Sequence, residues 1–300
     1  MEVGFAVPMS GPWATPDNVA RVARRAEELG YASLWTFQRL LWPVEITGPA
    51  AAPYREVIDP VATLGYLAGV TSRARLGVAV LNAPFFAPAL LAKQLATVDI
   101  LSGGRLDVGL GLGWMEQEYA ATGVPYRDRG ARLEEHLRCL YALWADDPVE
   151  FHGRFYDVPP THADPKPVQR PRPPVVLGGT VEAALRRAGR LADGWVSSSR
   201  ADLGRIGQSI AVVRAGAEEA GRDPAAVRVV VRGVVLLGSD EGKPLAGSPE
   251  KVREDLAWLG EQGVTEVFVD LNFDPRVPTA DPATAMRMAE DALEALAPSR

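Results

Sequence analysis

Apolar residues fall along this chain in two rhythms. Short unbroken runs alternate with longer stretches in which apolar positions recur every three or four residues. The runs at residues 3–8, 32–37, 75–81, 105–110, 174–177, 194–198, 227–237 and 266–271 read as strands. The spaced stretches read as helices. The first has Thr15 as its cap, Pro16 at the first position and Asp17 in the first turn; Val19, Val22, Ala23, Ala26 and Leu29 share one face, and Gly30 ends it. Further helices are predicted over residues 59–69, 88–101, 180–191, 203–220, 248–260 and 282–296. Another begins near Met115, breaks at Gly123-Val124-Pro125 and resumes over 127–145. Its charges (Arg127, Asp128, Arg129, Arg132, Glu134, Glu135, Arg138) read as a solvated face with some pairing four residues apart.

Strands that are apolar throughout, without polar alternation, belong to a parallel sheet covered on both faces. Eight strand–helix units in 300 residues close most simply as an α/β fold of the (β/α)8 TIM-barrel type, with a doubly wound sheet as the alternative. Two stretches interrupt the rhythm: a loop over 38–53 rich in Trp and Pro, and a proline-dense segment over about 147–174. The second holds VEFHGRFYDV, which suits a small hairpin, but no core of its own. It therefore reads as an insertion in a single domain spanning 1–300.

Composition adds exclusions. Acidic residues outnumber basic ones, 38 against 32, and no basic run stands out, which argues against wholesale nucleic-acid binding. The opening MEVGFAVPMSGPW lacks the basic start and apolar core of an export signal, and no apolar run is long enough for a bilayer. Cys139 is the only cysteine, so no internal disulfide forms. A cytoplasmic protein acting on a small molecule, with neither nucleic acid nor membrane as partner, is the expectation.

In a barrel the chemistry gathers at the carboxyl ends of the strands. Those ends hold no histidine, cysteine or paired carboxylates: His136 falls in a helix, and His152 and His162 in the insertion. A metal site and a Ser–His–Asp system therefore lack support. The ends are apolar, aromatic and glycine-rich, which suits a flat organic cofactor that carries the reactive chemistry itself. In DILSGGRLDVGLGLGW, Gly109, Gly111 and Gly113 alternate, so one face of that strand end has no side chains. A planar ring or a sugar-phosphate tail would fit against it, and so would a close-packed neighbour. A dinucleotide fingerprint is excluded, because the region around Asp128, where its acidic residue belongs, is helical. Gly178-Gly179-Thr180 closes one strand and opens a helix. It reads either as an anion site at a helix amino terminus or as a tight turn with Thr180 as the cap.

LSGGRLDVGLGLGW, EQEYAATGVPYRDRGARLEE, LYALW, VEFHGRFY, PKPVQRPRPPVVLGG and LADGW follow one another in an order that resembles the bacterial luciferase-like superfamily. The resemblance is closest to its branch of coenzyme F420-dependent oxidoreductases, and SPEKVREDLAWLGEQGVTEVFVD extends it to the last strand. It implies a barrel with insertions on the carboxyl-end face, often a homodimer. It implies that Gly178, Gly179 and Thr180 hold the cofactor phosphate and that Val78, Ala79 and Val80 support its ring, with a non-proline cis peptide at Ala79–Val80. Phe37, Gly111, Gly113 and Trp114 complete the cofactor-binding candidates. One departure matters: many members carry Asp-His or Glu-His at the end of the second strand, where this chain has Gln38 and Arg39. These are the candidate catalytic residues, able to orient a carbonyl or stabilise negative charge but not to exchange protons near neutrality. Trp114 stands where sugar-phosphate-oxidising relatives place a glutamate, which argues against that substrate class. The expected activity is an F420-dependent hydride transfer involving a small, largely apolar organic molecule, with Trp13, Phe37, Trp42 and Trp114 excluding water. An FMN-dependent monooxygenase and a cofactor-binding protein without turnover are the alternatives.

Overall fold

A computed structural model describes residues 1–48, 51–239 and 242–298. In chain order its elements are β1 (Glu2–Ala6), α1 (Pro16–Leu29), β2 (Ser33–Thr36), α2 (Ala52–Arg55), α3 (Pro60–Val70), β3 (Arg75–Val78), β4 (Leu81–Asn82), α4 (Pro88–Ser102) and β5 (Leu106–Gly111). There follow α5 (Glu116–Thr122), α6 (Arg129–Ala145), β6 (Val149–His152), β7 (Asp157–Thr161), β8 (Val175–Gly178), α7 (Glu182–Leu191), β9 (Gly194–Val196) and α8 (Ile206–Glu219). The chain ends with β10 (Arg228–Val234), β11 (Leu236–Leu237), β12 (Ala246–Gly247), α9 (Pro249–Glu261), β13 (Glu266–Asp270) and α10 (Pro282–Ala295).

Eight of the strands pair in parallel in the cyclic order β1, β2, β3, β5, β8, β9, β10, β13, and β13 returns to β1. The expected (β/α)8 barrel is therefore present. No described helix is long and apolar enough to cross a membrane. Helix α1 shows why local sequence and fold agree: Thr15 accepts the Asn18 N–H, Pro16 opens the helix and Gly30 ends it in a left-handed conformation. Its stripe of Val19, Val22, Ala23 and Ala26 is buried.

Three expected boundaries move. The strand expected over 75–81 is two pieces, β3 and β4, with a cis peptide at Ala79–Val80 between them. The run over 227–237 also divides: Leu236 and Leu237 leave the barrel and pair with Ala246 and Gly247. Helix α7 begins at Glu182 with Val181 at its cap and no side-chain bond there, so Thr180 is not its cap. The insertion forms the expected hairpin, with β6 antiparallel to β7. The charges of α6 are not simply a solvated face. Glu135 is buried, and its carboxylate accepts the backbone N–H groups of Arg154, Phe155 and Tyr156, clasping the hairpin to the helix.

Inside the barrel the layers differ in chemistry. At the amino end of the strands, Asp107 accepts from Arg75 (Nε–Oδ2, 2.8 Å) and from Arg228 (Nη1–Oδ1, 2.8 Å). Arg228 also donates to Glu266 (3.0 Å), which receives the Ser33 hydroxyl and the Trp35 indole N–H as well. Burial raises the Asp107 carboxyl, but the two guanidinium groups outweigh it and hold the group below the usual value. For Glu266 burial prevails over its donors, and the carboxyl is pushed up. Above this ionic layer Trp35 stacks on Phe268, with ring centroids 4.9 Å apart and planes 14° apart. Ala6, Ala79, Val176, Val196 and Val230 pack around them.

Removing one arginine from the ionic layer would strand buried negative charge. Arg228→Met is expected to cost about 3 kcal/mol, read as a lower urea midpoint at unchanged slope. An unchanged midpoint would show that the layer carries no net stability.

Candidate active site at the barrel mouth

The β2 exit carries Phe37, Gln38 and Arg39 onto the carboxyl-end face. Gln38 Oε1 accepts the Asn82 backbone N–H at 2.7 Å, which fixes the amide and aligns the β4 end beside it. Arg39 is held more tightly. Its Nη1 donates to Glu118 Oε2 at 2.8 Å, with the two side chains 6% and 0% exposed. The other Glu118 oxygen accepts the N–H groups of Leu40 (2.7 Å) and Leu41 (3.1 Å). One carboxylate of α5 thus neutralises Arg39 and anchors the start of the loop.

Aromatic rings surround the guanidinium. Its carbon lies 4.9 Å from the Tyr54 ring centre, 4.8 Å from Trp114 and 5.9 Å from Trp42. Tyr54 stacks on Trp42 at 5.2 Å and meets Phe273 edge-on at 5.3 Å, and Phe273 reaches Phe37 at 5.2 Å. This wall runs from the barrel interior to Trp114, which is 49% exposed. A hollow of about 410 Å³ opens beside it, lined by Trp42, Pro43, Val44, Ile46, Thr47 and Arg55 among others. Trp13, expected at the mouth, is fully buried in the core.

Deeper in the mouth, Arg232 donates to the Ala79 carbonyl and faces Asp270 across 3.6 Å. Both are fully buried, and burial lowers the guanidinium's proton affinity and raises the carboxyl's, each opposed by its partner. Asn272 bonds to Asp270 and also to the Met9 N–H and the Val7 carbonyl, tying the β13 end to the β1 end.

The glycine candidates divide. A Cβ on Gly109 would fall 1.8 Å from the Val78 carbonyl oxygen, and one on Gly111 would fall 2.6 Å from Val80 Cγ2. The bare face of β5 is therefore filled by the chain's own Val78 and Val80, and close packing explains it. Val78 and Ala79 are buried, with Val80 half-buried above them. Gly113 sits against the Asn82 side chain, beneath the exposed Trp114. Gly178 lies next to Val80, and Gly179 packs on Ala184 while its carbonyl accepts the Trp195 indole N–H at 2.9 Å. Thr180 is exposed beside them, and the backbone N–H groups of Thr180 and Val181 have no hydrogen-bond partner among the described residues. An uncapped helix start with free donors fits an anion such as a phosphate.

The histidines lie elsewhere. His152 is exposed between Glu150 and Asp157, and His162 is exposed beside Asp147 and Asp164 on the insertion. His136 is buried within α6, and burial pushes its imidazole down to about 4, only partly offset by the Phe86 carbonyl. Tyr54, Glu118 and Arg232 were not singled out by sequence reasoning. Glu118 lies within the EQEYAATG motif but looks there like one more surface acid; only its zero exposure identifies it.

Residues 2–243 match the sequence profile of the luciferase-like monooxygenases. The chain belongs to this family. An uncharacterized protein of Mycobacterium tuberculosis is 35% identical over 278 residues, covering 89% of this chain and 91% of that protein. An FMNH2-dependent dimethylsulfone monooxygenase of Pseudomonas putida is 35% identical over 178 residues, 58% of this chain and 48% of the relative. An F420-dependent glucose-6-phosphate dehydrogenase of Amycolatopsis mediterranei is 34% identical over 193 residues, 61% of this chain and 54% of the relative. Among solved structures, an F420-dependent secondary alcohol dehydrogenase superposes with a TM-score of 0.79 at 17% identity, covering 98% of each chain. That likeness confirms the barrel. Relatives in this luciferase-like family therefore use either of two cofactors.

Two outcomes test this description. Glu118→Ala leaves Arg39 as a buried cation and is expected to lower stability by about 3–5 kcal/mol. Adding Arg39→Met should restore most of the loss, with both steps visible in thermal unfolding and in tryptophan emission. For His136, the depressed folded value means stability is complete above pH 6.5 and falls as pH drops toward 4. The loss is about 3 kcal/mol, and His136→Gln should flatten it in urea titrations across that range.

Proposed function

We propose that this chain is a coenzyme F420-dependent oxidoreductase that moves a hydride between the deazaflavin and a small, largely apolar organic substrate. The observation that carries this reading is the donor set at the mouth. Gln38 offers an amide and Arg39 a fixed guanidinium, both set among aromatic rings. No histidine of the chain reaches them, since all three lie in α6 or the insertion. Such a site binds and orients but does not shuttle protons, which suits a cofactor that performs the bond-making step itself. The sequence motifs point the same way, as does the F420-dependent relative.

When bound, a deazaflavin supplies a ring carbon that gives or accepts a hydride. Gly178, Gly179 and Thr180, with the free N–H groups of Thr180 and Val181, would hold the phosphate. Val80, flanked by Gly111 and Gly178, would form the floor under the ring, and the Arg232 bond to the Ala79 carbonyl keeps that floor in place. Phe37, Trp42, Tyr54, Trp114 and Phe273 keep water from the reacting face. Gln38 and Arg39 would orient a substrate oxygen and stabilise negative charge developing on it.

The FMNH2-dependent relative supports a second reading, an FMN-dependent monooxygenase. Parallel fluorescence titrations with F420 and FMN separate the two. Micromolar binding of F420 with FMN at least about tenfold weaker, a gap of 1.4 kcal/mol, is the expected outcome. Tighter binding of FMN would overturn the F420 reading, and binding of neither would overturn both.

A further inference from the structure

The hollow of about 410 Å³ beside the aromatic wall is built by the loop between β2 and α3 and held open by that loop's own bonds. Glu118 pins the start of the loop through the Leu40 and Leu41 N–H groups. Further along, the Trp42 indole N–H donates to the Ile46 carbonyl at 2.8 Å and the Ile46 N–H to the Pro43 carbonyl at 3.1 Å. The Ala51 N–H donates to the Gly48 carbonyl at 3.0 Å, and α2 follows. Tyr54, in α2, stacks on Trp42 with planes 9° apart, and Trp42 also lines the hollow. One ring is thus shared between the mouth around Arg39 and the space beside it.

The walls are largely apolar, with Trp42, Pro43, Val44, Ile46 and Ala52 among them, and the volume is in the range that holds small organic ligands. Apolar side chains are also left uncovered around it. Leu40 and Leu41 are exposed, Val44 is 92% exposed, and the exposed Trp114 lies 6.4 Å from Trp42. Uncovered apolar surface gathered at one rim marks a binding face. The lining carries a single formal charge, that of Arg55 at the end of α2. Arg55 has no hydrogen bond or ion pair among the described residues. The carboxylate of Glu45 in the same loop instead accepts the Gln117 amide at 3.1 Å. An apolar surface ending in one unpaired guanidinium is complementary to an apolar chain ending in one carboxylate, which a guanidinium fork can hold through both oxygens.

We propose that this hollow is a substrate subsite for an apolar chain that bears a carboxylate. The chain lies along Trp42, Val44 and Ile46, and the carboxylate pairs with Arg55. The reacting part of the molecule extends past the Trp42–Tyr54 stack toward Gln38 and Arg39. The proposal rests on the oxidoreductase reading above and narrows its substrate to apolar molecules with an acid group remote from the reacting atom.

Calorimetric titration of the protein without cofactor, using octanoate and 1-octanol as probes, tests the subsite. Wild type is expected to bind octanoate about fivefold tighter than the alcohol, the upper range for an exposed ion pair, and high salt should shrink that preference. Arg55→Gln should bind the alcohol as wild type does and lose the preference. Ala52→Trp, which fills the hollow, should bind neither probe while its thermal unfolding shows the fold intact. Equal affinity of wild type for the two probes, no binding of either, a preference that survives Arg55→Gln, or binding that survives Ala52→Trp overturns the subsite. The F420 titration is read separately. F420 binding without the octanoate preference leaves the cofactor reading standing and removes the subsite, whereas the preference without F420 binding keeps the acid subsite and removes the F420 reading.

Discussion

The closing of the barrel between β3 and β5 is the constraint on which everything above it depends. Here two strands must meet although the chain of one leaves the regular path at Ala79–Val80. They can do so only because residue 109 has no side chain: any Cβ there would occupy the position of the Val78 carbonyl oxygen. The same departure swings Val80 into the space left by Gly111 and Gly178 and presents the Ala79 carbonyl to Arg232. A larger residue at 109 would disturb the cylinder and its floor together, because one close approach serves both. Strand closure and the shape of the candidate cofactor site are a single packing problem in this protein.

Charge is distributed around that closure unevenly. At the amino end, Asp107 holds Arg75 and shares Arg228 with Glu266, and Ser33 and Trp35 take up the other Glu266 oxygen. At the carboxyl end, Arg232 and Asp270 face each other across 3.6 Å with a guanidinium nitrogen and a carboxylate oxygen still unpartnered. The first arrangement is nearly saturated and is a matter of stability. The second is under-bonded and lies directly beneath the mouth, where groups with unsatisfied capacity are characteristic of functional sites. The stacked Trp35 and Phe268 separate the two layers, so the lower network can be rigid without fixing the upper one.

Much of the fold was legible because its determinants are local. Thr15, Pro16 and Gly30 bound α1 through their own backbone preferences, and unbroken apolar runs announce strands covered on both faces. The finer breaks were not legible. Within the run RLGVAVLN itself nothing marks Val78 as the end of a strand, since β-branched and small apolar residues suit a continuous one equally well; only the family resemblance pointed to Ala79–Val80. The mouth shows the same limit. Gln38 and Arg39 could be placed at a strand end by counting, but the partner that decides the behaviour of Arg39 lies 79 positions later in the chain. Glu118, with acidic Glu116 as a near neighbour, resembles the solvated first turn of any helix until the fold buries it. Likewise the charges of α6 looked like an exposed face, and only the hairpin folding back over Glu135 gives them direction.

The pairing of Arg39 with Glu118 also limits what chemistry the site performs well. Oxidation of an alcohol requires something to accept the hydroxyl proton as the hydride leaves, and the ordinary choice is a histidine or carboxylate at the end of β2. Here that place is taken by an amide and a guanidinium, and the nearby carboxylate is committed to three donors. Reduction of a polarised double bond makes the opposite demand. Hydride arrives at carbon, negative charge grows on the far atom, and fixed donors in a site lined by rings stabilise it, while the proton follows from solvent. On the hydride-transfer reading, the residues at the mouth therefore favour reduction of an electron-poor, mostly apolar acceptor over oxidation of an alcohol.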